Sequence, residues 1–340
     1  MTTRFIGTSN HGFGQYAQEE IRRLFSTVRL KVLVPTEIVL FEVAESRDEA
    51  IAVIREREPI FLRHLQPVDH ELEATQSAAD LDALKRLIAA QYSFNRGEKV
   101  AVQVRKEERA NAPYSPFEVK SGLDEVLADT HHAEPVVRAA DRIISIYVTG
   151  SVLYIGLSRP EENLSDWSGG AIRFQKEEDQ ISRAKFKLHE AEQKFRLDFT
   201  SYRSGLDIGA APGGWTSLLL ERGLKVTAID PAKLHPSLIG NRNLIYFAKN
   251  AGDVKLRPNE FDLLVCDMSW NPKQMGRLVG DLLYSLRIGG TAIITVKLMH
   301  KKPFQTVREL MQLFSQTLEL VQAKQLFHNR EELTLYLRKN

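Results

Sequence analysis

The chain has 340 residues, enough for two or three domains with substantial cores. With 43% hydrophobic and 26% charged residues it is neither disordered nor fibrous, and a formal net charge of +2 leaves any nucleic-acid binding to local basic patches. No apolar run approaches the roughly 20 residues that cross a bilayer, and the opening Met1-Thr2-Thr3-Arg4-Phe5 lacks the regions of a signal peptide, so the expectation is a cytoplasmic protein. A single cysteine, Cys266, excludes an intrachain disulfide framework, and with scattered histidines it makes no zinc motif; the one adjacent pair, His131-His132, reads as a surface loop.

In chain order, residues 1–60 alternate strand-like runs (Arg4 to Thr8, Ile38 to Val43) with helix-like ones (Gln15 to Leu24, Arg47 to Arg55), the pattern of a small α+β unit. A second unit, 61–160, is read from a helix at Ala79 to Tyr92, a strand at Lys99 to Arg105, an amphipathic helix at Phe117 to Ala128, and paired strands Ile143 to Tyr147 and Ser151 to Ile155 around Thr149-Gly150. Residues 161–180 turn polar and glycine-rich, which suggests a linker. From Arg203 onward, strand and helix signals alternate: Leu206 to Ile208, Lys225 to Ile229, Phe261 to Cys266 and Thr291 to Val296 read as strands of a parallel sheet with helices on both faces. The end of the chain reads as a strand from Val321 to Phe327, a tight turn, and an antiparallel strand from Glu332 to Leu337.

The run Leu206-Asp207-Ile208-Gly209-Ala210-Ala211-Pro212-Gly213-Gly214-Trp215 is a short strand ending in a glycine-rich turn at a helix start, the place for a nucleotide-like cofactor. Its spacing is not the dinucleotide G-x-G-x-x-G, which counts against a nicotinamide enzyme. Ligands of open α/β sheets bind beyond the carboxyl ends of the strands, and polar residues stand there: Gly209, Asp230, Asp267 and Lys297. Asp230 lies 21 positions after Gly209, where a carboxylate serves either a ribose or a helix cap. Lys297 is either a lysine of shifted proton affinity or one that snorkels from a strand end. If the strand before the last turn runs parallel to the sheet, the turn returns Glu332 to the same rim. Upstream, Ser182-Arg183-Ala184-Lys185-Phe186-Lys187-Leu188-His189-Glu190-Ala191 reads as a basic amphipathic helix, and Cys266, one residue from Asp267, as core.

At these residues the segment from about 181 to 340 resembles the FtsJ-type ribose 2′-O-methyltransferases, with Asp-Ile-Gly-Ala-Ala-Pro-Gly-Gly-Trp matching their cofactor loop. The resemblance implies a Rossmann-like class I methyltransferase domain, S-adenosyl-L-methionine as cofactor, and a catalytic tetrad of Lys187, Asp267, Lys297 and Glu332, with Glu331 competing for the last place. It implies cofactor contacts from Asp207, Gly209, Ala210, Pro212, Gly213, Gly214, Trp215, Asp230, Asp253 and Asp267. The closing Gln322-Ala323-Lys324-Gln325-Leu326-Phe327-His328-Asn329-Arg330-Glu331-Glu332 looks like the branch that acts on cytidines of large-subunit (23S) rRNA, the RlmM type, and Tyr154-Ile155-Gly156-Leu157-Ser158 looks like the end of the THUMP RNA-binding domain that branch carries. Residues 1–60 would then be a ferredoxin-like α+β unit and 61–160 a THUMP-like domain, with 23S rRNA or a pre-ribosomal particle as partner and no membrane.

On that reading Lys297 is the general base or orienting group for the 2′-hydroxyl, Asp267 holds it, and Lys187 and Glu332 complete a coupled set. Arg183, Lys185, Lys301, Lys302 and Arg330 are the expected RNA contacts near the rim. Three rivals follow from the same residues: a base N-methyltransferase, because Asn271-Pro272 resembles part of an Asn-Pro-Pro-Tyr loop; a non-catalytic RNA-binding or assembly factor; and a nicotinamide dehydrogenase.

Overall fold

The computed structural model describes residues 2–175, 180–298 and 302–340. Its contacts divide the chain into two units, 1–171 and 172–340. The first begins β1 (Thr3–Thr8), α1 (Gly14–Leu24), β2 (Val28–Val34), β3 (Ile38–Val43), α2 (Arg47–Arg57) and β4 (His64–Pro67), with an antiparallel sheet in the order β2-β3-β1-β4. Ser46 starts α2 in a capping box: its hydroxyl accepts from the Glu49 amide and its own amide donates to the Glu49 carboxylate. Ile21, Ala50 and Ile54 of the helices close over Phe5, Phe41 and Val43 of the sheet.

The chain continues through β5 (His70–Glu73), α3 (Ala79–Gln91), β6 (Lys99–Lys106), α4 (Pro116–Asp129), β7 (Glu134–Val136), β8 (Arg142–Val148) and β9 (Val152–Ser158), a mixed sheet in the order β5-β9-β8-β6-β7. Leu84 and Ile88 of α3 and Leu123 and Leu127 of α4 pack on Val100, Val102, Ile144 and Ile146. The two sheets meet where β4 passes β9, and only a glycine fits there: a Cβ on Gly156 would stand 1.9 Å from the Pro67 carbonyl oxygen. Gln66 Nε2 crosses the seam to the Ser145 carbonyl at 3.2 Å, and Arg105 Nη1 donates to Thr8 Oγ1 at 2.8 Å. The polar stretch expected as a linker is packed as far as Gly170: Arg63 Nε donates to the Gly169 carbonyl, and Gln103 Nε2 to that of Asp166.

The second unit holds α5 (Ala184–Lys194), β10 (Ser204–Ile208), α6 (Gly214–Glu221), β11 (Lys225–Ile229), β12 (Leu244–Phe247), β13 (Phe261–Cys266), α7 (Pro272–Leu282), β14 (Leu286–Lys297), α8 (Pro303–Phe314), β15 (Leu318–Lys324) and β16 (Glu332–Lys339). Its sheet runs β12-β11-β10-β13-β14-β16-β15, parallel from β12 to β14, with β16 antiparallel to both of its neighbours. This is the Rossmann-like α/β arrangement, closed at one side by a reversed strand. The chain leaves β10 outward to β11 and β12 and returns on its other side to β13, so the crevice of the sheet opens beyond the carboxyl ends of β10 and β13.

A methyl group at the seam of the first unit would have to displace backbone. Gly156→Ala should therefore lower stability by about 3 kcal/mol, the upper part of the overpacking range; an unchanged urea midpoint would show that the two sheets do not depend on this approach.

Candidate active site

The rim beyond β10, β11, β13 and β14 carries the residues singled out by sequence. After Ile208 the backbone enters the left-handed region at Gly209 (φ +75°) and again at Gly213 (φ +114°). A Cβ on Gly209 would stand 2.3 Å from Met268 Cγ, and one on Gly213 2.3 Å from Leu238 Cδ1, so the turn keeps its shape only with glycine at both places. Asp230, just past β11, ties the turn down: its Oδ2 accepts from the Ala211 amide at 3.0 Å and its Oδ1 from the Ala232 amide at 2.7 Å. Each carboxylate oxygen retains a second lone pair, so the cap and ribose readings of Asp230 are compatible. The first internal bond of α6 runs from Ser217 N to Gly213 O, and the amides of Gly214 and Trp215 are first-turn donors without a helical acceptor. Ala210 packs with Ala228, Leu234 and Leu238, Pro212 is exposed, and Asp253 stands exposed in the short turn after β12. The glycine turn, the helix start and the carboxylate at the end of β11 fit a cofactor of nucleoside type.

Two residues expected among the cofactor contacts turn their side chains inward. Asp207 is 1% exposed beneath the turn and accepts from Thr216 Oγ1 at 2.6 Å, so it seats α6; burial pushes its carboxyl up to about 7 against that hydrogen bond. Trp215 is 3% exposed, and its indole Nε1 donates to the Ala184 carbonyl at 2.8 Å, which makes it part of the core between α5 and α6.

The four residues expected to form the tetrad lie on one face. Val265 and Ile293 lie in the core under α5, and the period of two along each strand carries Asp267, Thr295 and Lys297 onto the same side; Tyr336 does the same for Glu332. Lys187 reaches down from α5, its Nζ 3.0 Å from Asp267 Oδ1 and 2.7 Å from Glu332 Oε2. Lys297 is paired in register with Glu332 across β14 and β16. Burial works against the Lys187 ammonium, but Asp267 and Glu332 outweigh it and hold its pKa above the usual lysine range. Burial pushes the Asp267 carboxyl up, against the pull of Lys187 and of the hydrogen bond from Thr295. Glu332 is half-buried beside Lys187 whereas Glu331 is exposed, which separates the two candidate glutamates. Cys266 is fully buried, and burial pushes its thiol up to about 12, consistent with core.

Sequence reasoning missed the supports. Thr295 Oγ1 donates to Asp267 Oδ1 at 2.6 Å, and its place two residues before Lys297 was the available signal. Glu190, buried on α5, accepts from the Phe327 amide at 2.7 Å, the His328 amide at 2.9 Å and His328 Nδ1 at 2.6 Å, pinning the turn that delivers Glu332. Asn329 Oδ1 accepts from the Leu326 amide, and Gln325 Nε2 donates to the Arg330 and Glu332 carbonyls, which explains the polar string at the chain's end as turn chemistry. Phe174 stacks on His189 at 4.2 Å and on His328 at 5.4 Å, beside the same turn. Of the expected RNA contacts, Arg183, Lys302 and Arg330 are exposed, and Lys301 lies outside the described residues. Lys185 is corrected: it is buried, with its Nζ 2.9 Å from Glu221 Oε2.

Residues 180–329 match the FtsJ-like methyltransferase family. The chain is 36% identical over 202 residues to ribosomal RNA large subunit methyltransferase M of Psychromonas ingrahamii, covering 54% of this chain and 53% of that one. It is 37% identical over 177 residues to the protein of the same name from Halorhodospira halophila, covering 51% of each. The chain thus spans about half the length of these curated relatives. Among solved structures, TrmN from Thermus thermophilus aligns over 99% of this chain and 100% of its own at 16% identity and a TM-score of 0.43. The segment that matches the FtsJ-like methyltransferase family, 180–329, lies in the unit that carries the reversed-strand α/β sheet and the glycine turn.

Proposed function

We propose that this protein transfers a methyl group from S-adenosyl-L-methionine to a ribose 2′-hydroxyl of RNA, and that its substrate is large-subunit (23S) rRNA, free or in a pre-ribosomal particle, in the cytoplasm. The observation that carries this reading is the Lys187 ammonium held between Asp267 and Glu332, with Lys297 abreast of Glu332 on the rim of the glycine turn. S-adenosyl-L-methionine supplies a methyl group already activated on a sulfonium, so the protein's task is alignment and the handling of one proton. Gly209 and Gly213 to Trp215 offer backbone to the cofactor, and Asp230 its spare lone pairs to a ribose. Lys187, kept charged by two carboxylates, holds Asp267 and Glu332 in place. Lys297 makes no ion pair among the described residues, and its Nζ is the amine that takes the 2′-hydroxyl proton as the oxygen gains the methyl.

The first unit supplies RNA binding in this proposal. The order β2-β3-β1-β4 from a strand-helix-strand-strand-helix-strand run supports a ferredoxin-like segment that extends through β4, and the five-stranded sheet after it supports a THUMP-like domain before the methyltransferase segment. The base N-methyltransferase rival loses its residue: Asn271 caps α7, its Oδ1 accepting from the Lys273 amide at 3.0 Å.

The direct test is transfer of labelled methyl to rRNA from cells lacking the protein, followed by nuclease digestion; a label on the base, or none, overturns the assignment. Lys297→Ala should cut the rate by about 10²- to 10⁴-fold while cofactor affinity is retained, and normal turnover would remove Lys297 from its role. Thr295 acts through Asp267, so Thr295→Val should lower kcat about tenfold without changing RNA or cofactor affinity, the loss of one hydrogen bond to a charged group, with Thr295→Ser restoring it; a variant weakened only in folding would fail that rescue. Because the Asp267 carboxyl is raised, it gains a proton and releases Lys187 at a higher pH than an ordinary aspartate would. The acid limb of kcat/KM should accordingly lie above about 4, the usual aspartate value, and a limb at or below it would contradict the burial argument.

A further inference from the structure

The loop after β13 and the starts of α7 and α8 put a second feature at the carboxyl edge of the sheet, the edge at which Asp267 and Lys297 stand. Trp270, three residues past Asp267, is 49% exposed. Beyond it a groove of about 650 Å³ opens between α7 and α8, whose first turns begin five and six residues after Asp267 and Lys297 respectively. The helices approach through Gly276, where a Cβ would stand 2.8 Å from both Leu310 Cδ2 and Leu313 Cδ2, so these leucines give the groove an apolar floor. Its walls carry Lys273, Arg277 and Lys302 against the single carboxylate of Glu309, which lies 3.1 Å from Lys273 Nζ. The described lining is therefore net positive, and the first turns of α7 and α8 at its end follow closely on Asp267 and Lys297 in the chain.

Resting on the ribose-methylation reading, we propose that this groove takes the single strand of RNA next to the target nucleotide, with Trp270 stacking on a base and Lys273, Arg277 and Lys302 facing phosphates. An exposed aromatic leading into a cationic channel is the combination that binds single strands without reading their sequence. The groove holds the flanking strand so that the target ribose reaches Lys297, and it acts on RNA affinity rather than on the chemical step.

The test compares the full chain with Lys273→Gln/Arg277→Gln, with Trp270→Ala, and with Lys225→Gln/Arg257→Gln, which removes the same charge from exposed positions at the opposite, amino-terminal edge of the sheet. The groove double variant should raise the RNA KM about tenfold and flatten the salt dependence of log K by about 1.4, two single-strand phosphate contacts, with kcat at saturating RNA and cofactor affinity unchanged. Trp270→Ala should raise KM with no change in the salt slope, and the amino-edge variant should match wild type. Wild-type KM and slope in the groove variant, or an equal loss in the amino-edge variant, would overturn the proposal. Direct binding of an unmethylated oligonucleotide reads the groove separately: wild-type protein that binds it through these residues but transfers no methyl to ribose fails the reaction reading and not this one.

Discussion

One ammonium group between two carboxylates organises the second unit. Lys187, Asp267 and Glu332 come from a helix, the end of a parallel strand and the start of a reversed one, and they meet at 3.0 and 2.7 Å with little solvent access. Charges so placed are costly unless each is answered, and removing one member of a buried pair typically costs about 3–5 kcal/mol. The rest of the rim answers that constraint. Thr295 fills another acceptor site on Asp267, and Glu190 fixes the turn from which Glu332 emerges.

The same arrangement gives the two lysines different surroundings. Lys187 is committed to its carboxylates, which raise its proton affinity despite burial, while Lys297 stands abreast of Glu332 without such a commitment among the described residues. A site with one lysine locked as a cation and another facing the rim can hold geometry and move a proton with different groups. The reversed strand β16 is what makes this possible, because only a strand antiparallel to β14 can begin at the carboxyl end where Lys297 finishes.

Much of this was legible from local pattern. The strands β1, β3, β10, β11 and β13 show apolar or alternating runs bounded by turn residues, and their observed limits fall within two residues of those read from sequence. The edge strands β2 and β12 and the short β4, β5 and β7 were not read, because a strand half open to solvent or of three or four residues leaves no clear period. Three of the expected contact residues share a trait that local pattern does not reveal. Asp207, Trp215 and Lys185 belong to strings that look like ligand contacts, yet each side chain turns inward to Thr216, the Ala184 carbonyl or Glu221.

By itself the sequence determined that a glycine-rich turn follows a buried strand, that acidic and basic residues end the following strands, and that a polar turn precedes a last strand; these depend on residue type and spacing within a few positions. Which glutamate joins the site, which lysine is locked, and that Thr295 and Glu190 support them were decided only in three dimensions. Those assignments depend on distances between groups 28 to 145 residues apart along the chain, such as Thr295 with Asp267 and Lys187 with Glu332, and no local pattern encodes a contact that forms only when the sheet has closed.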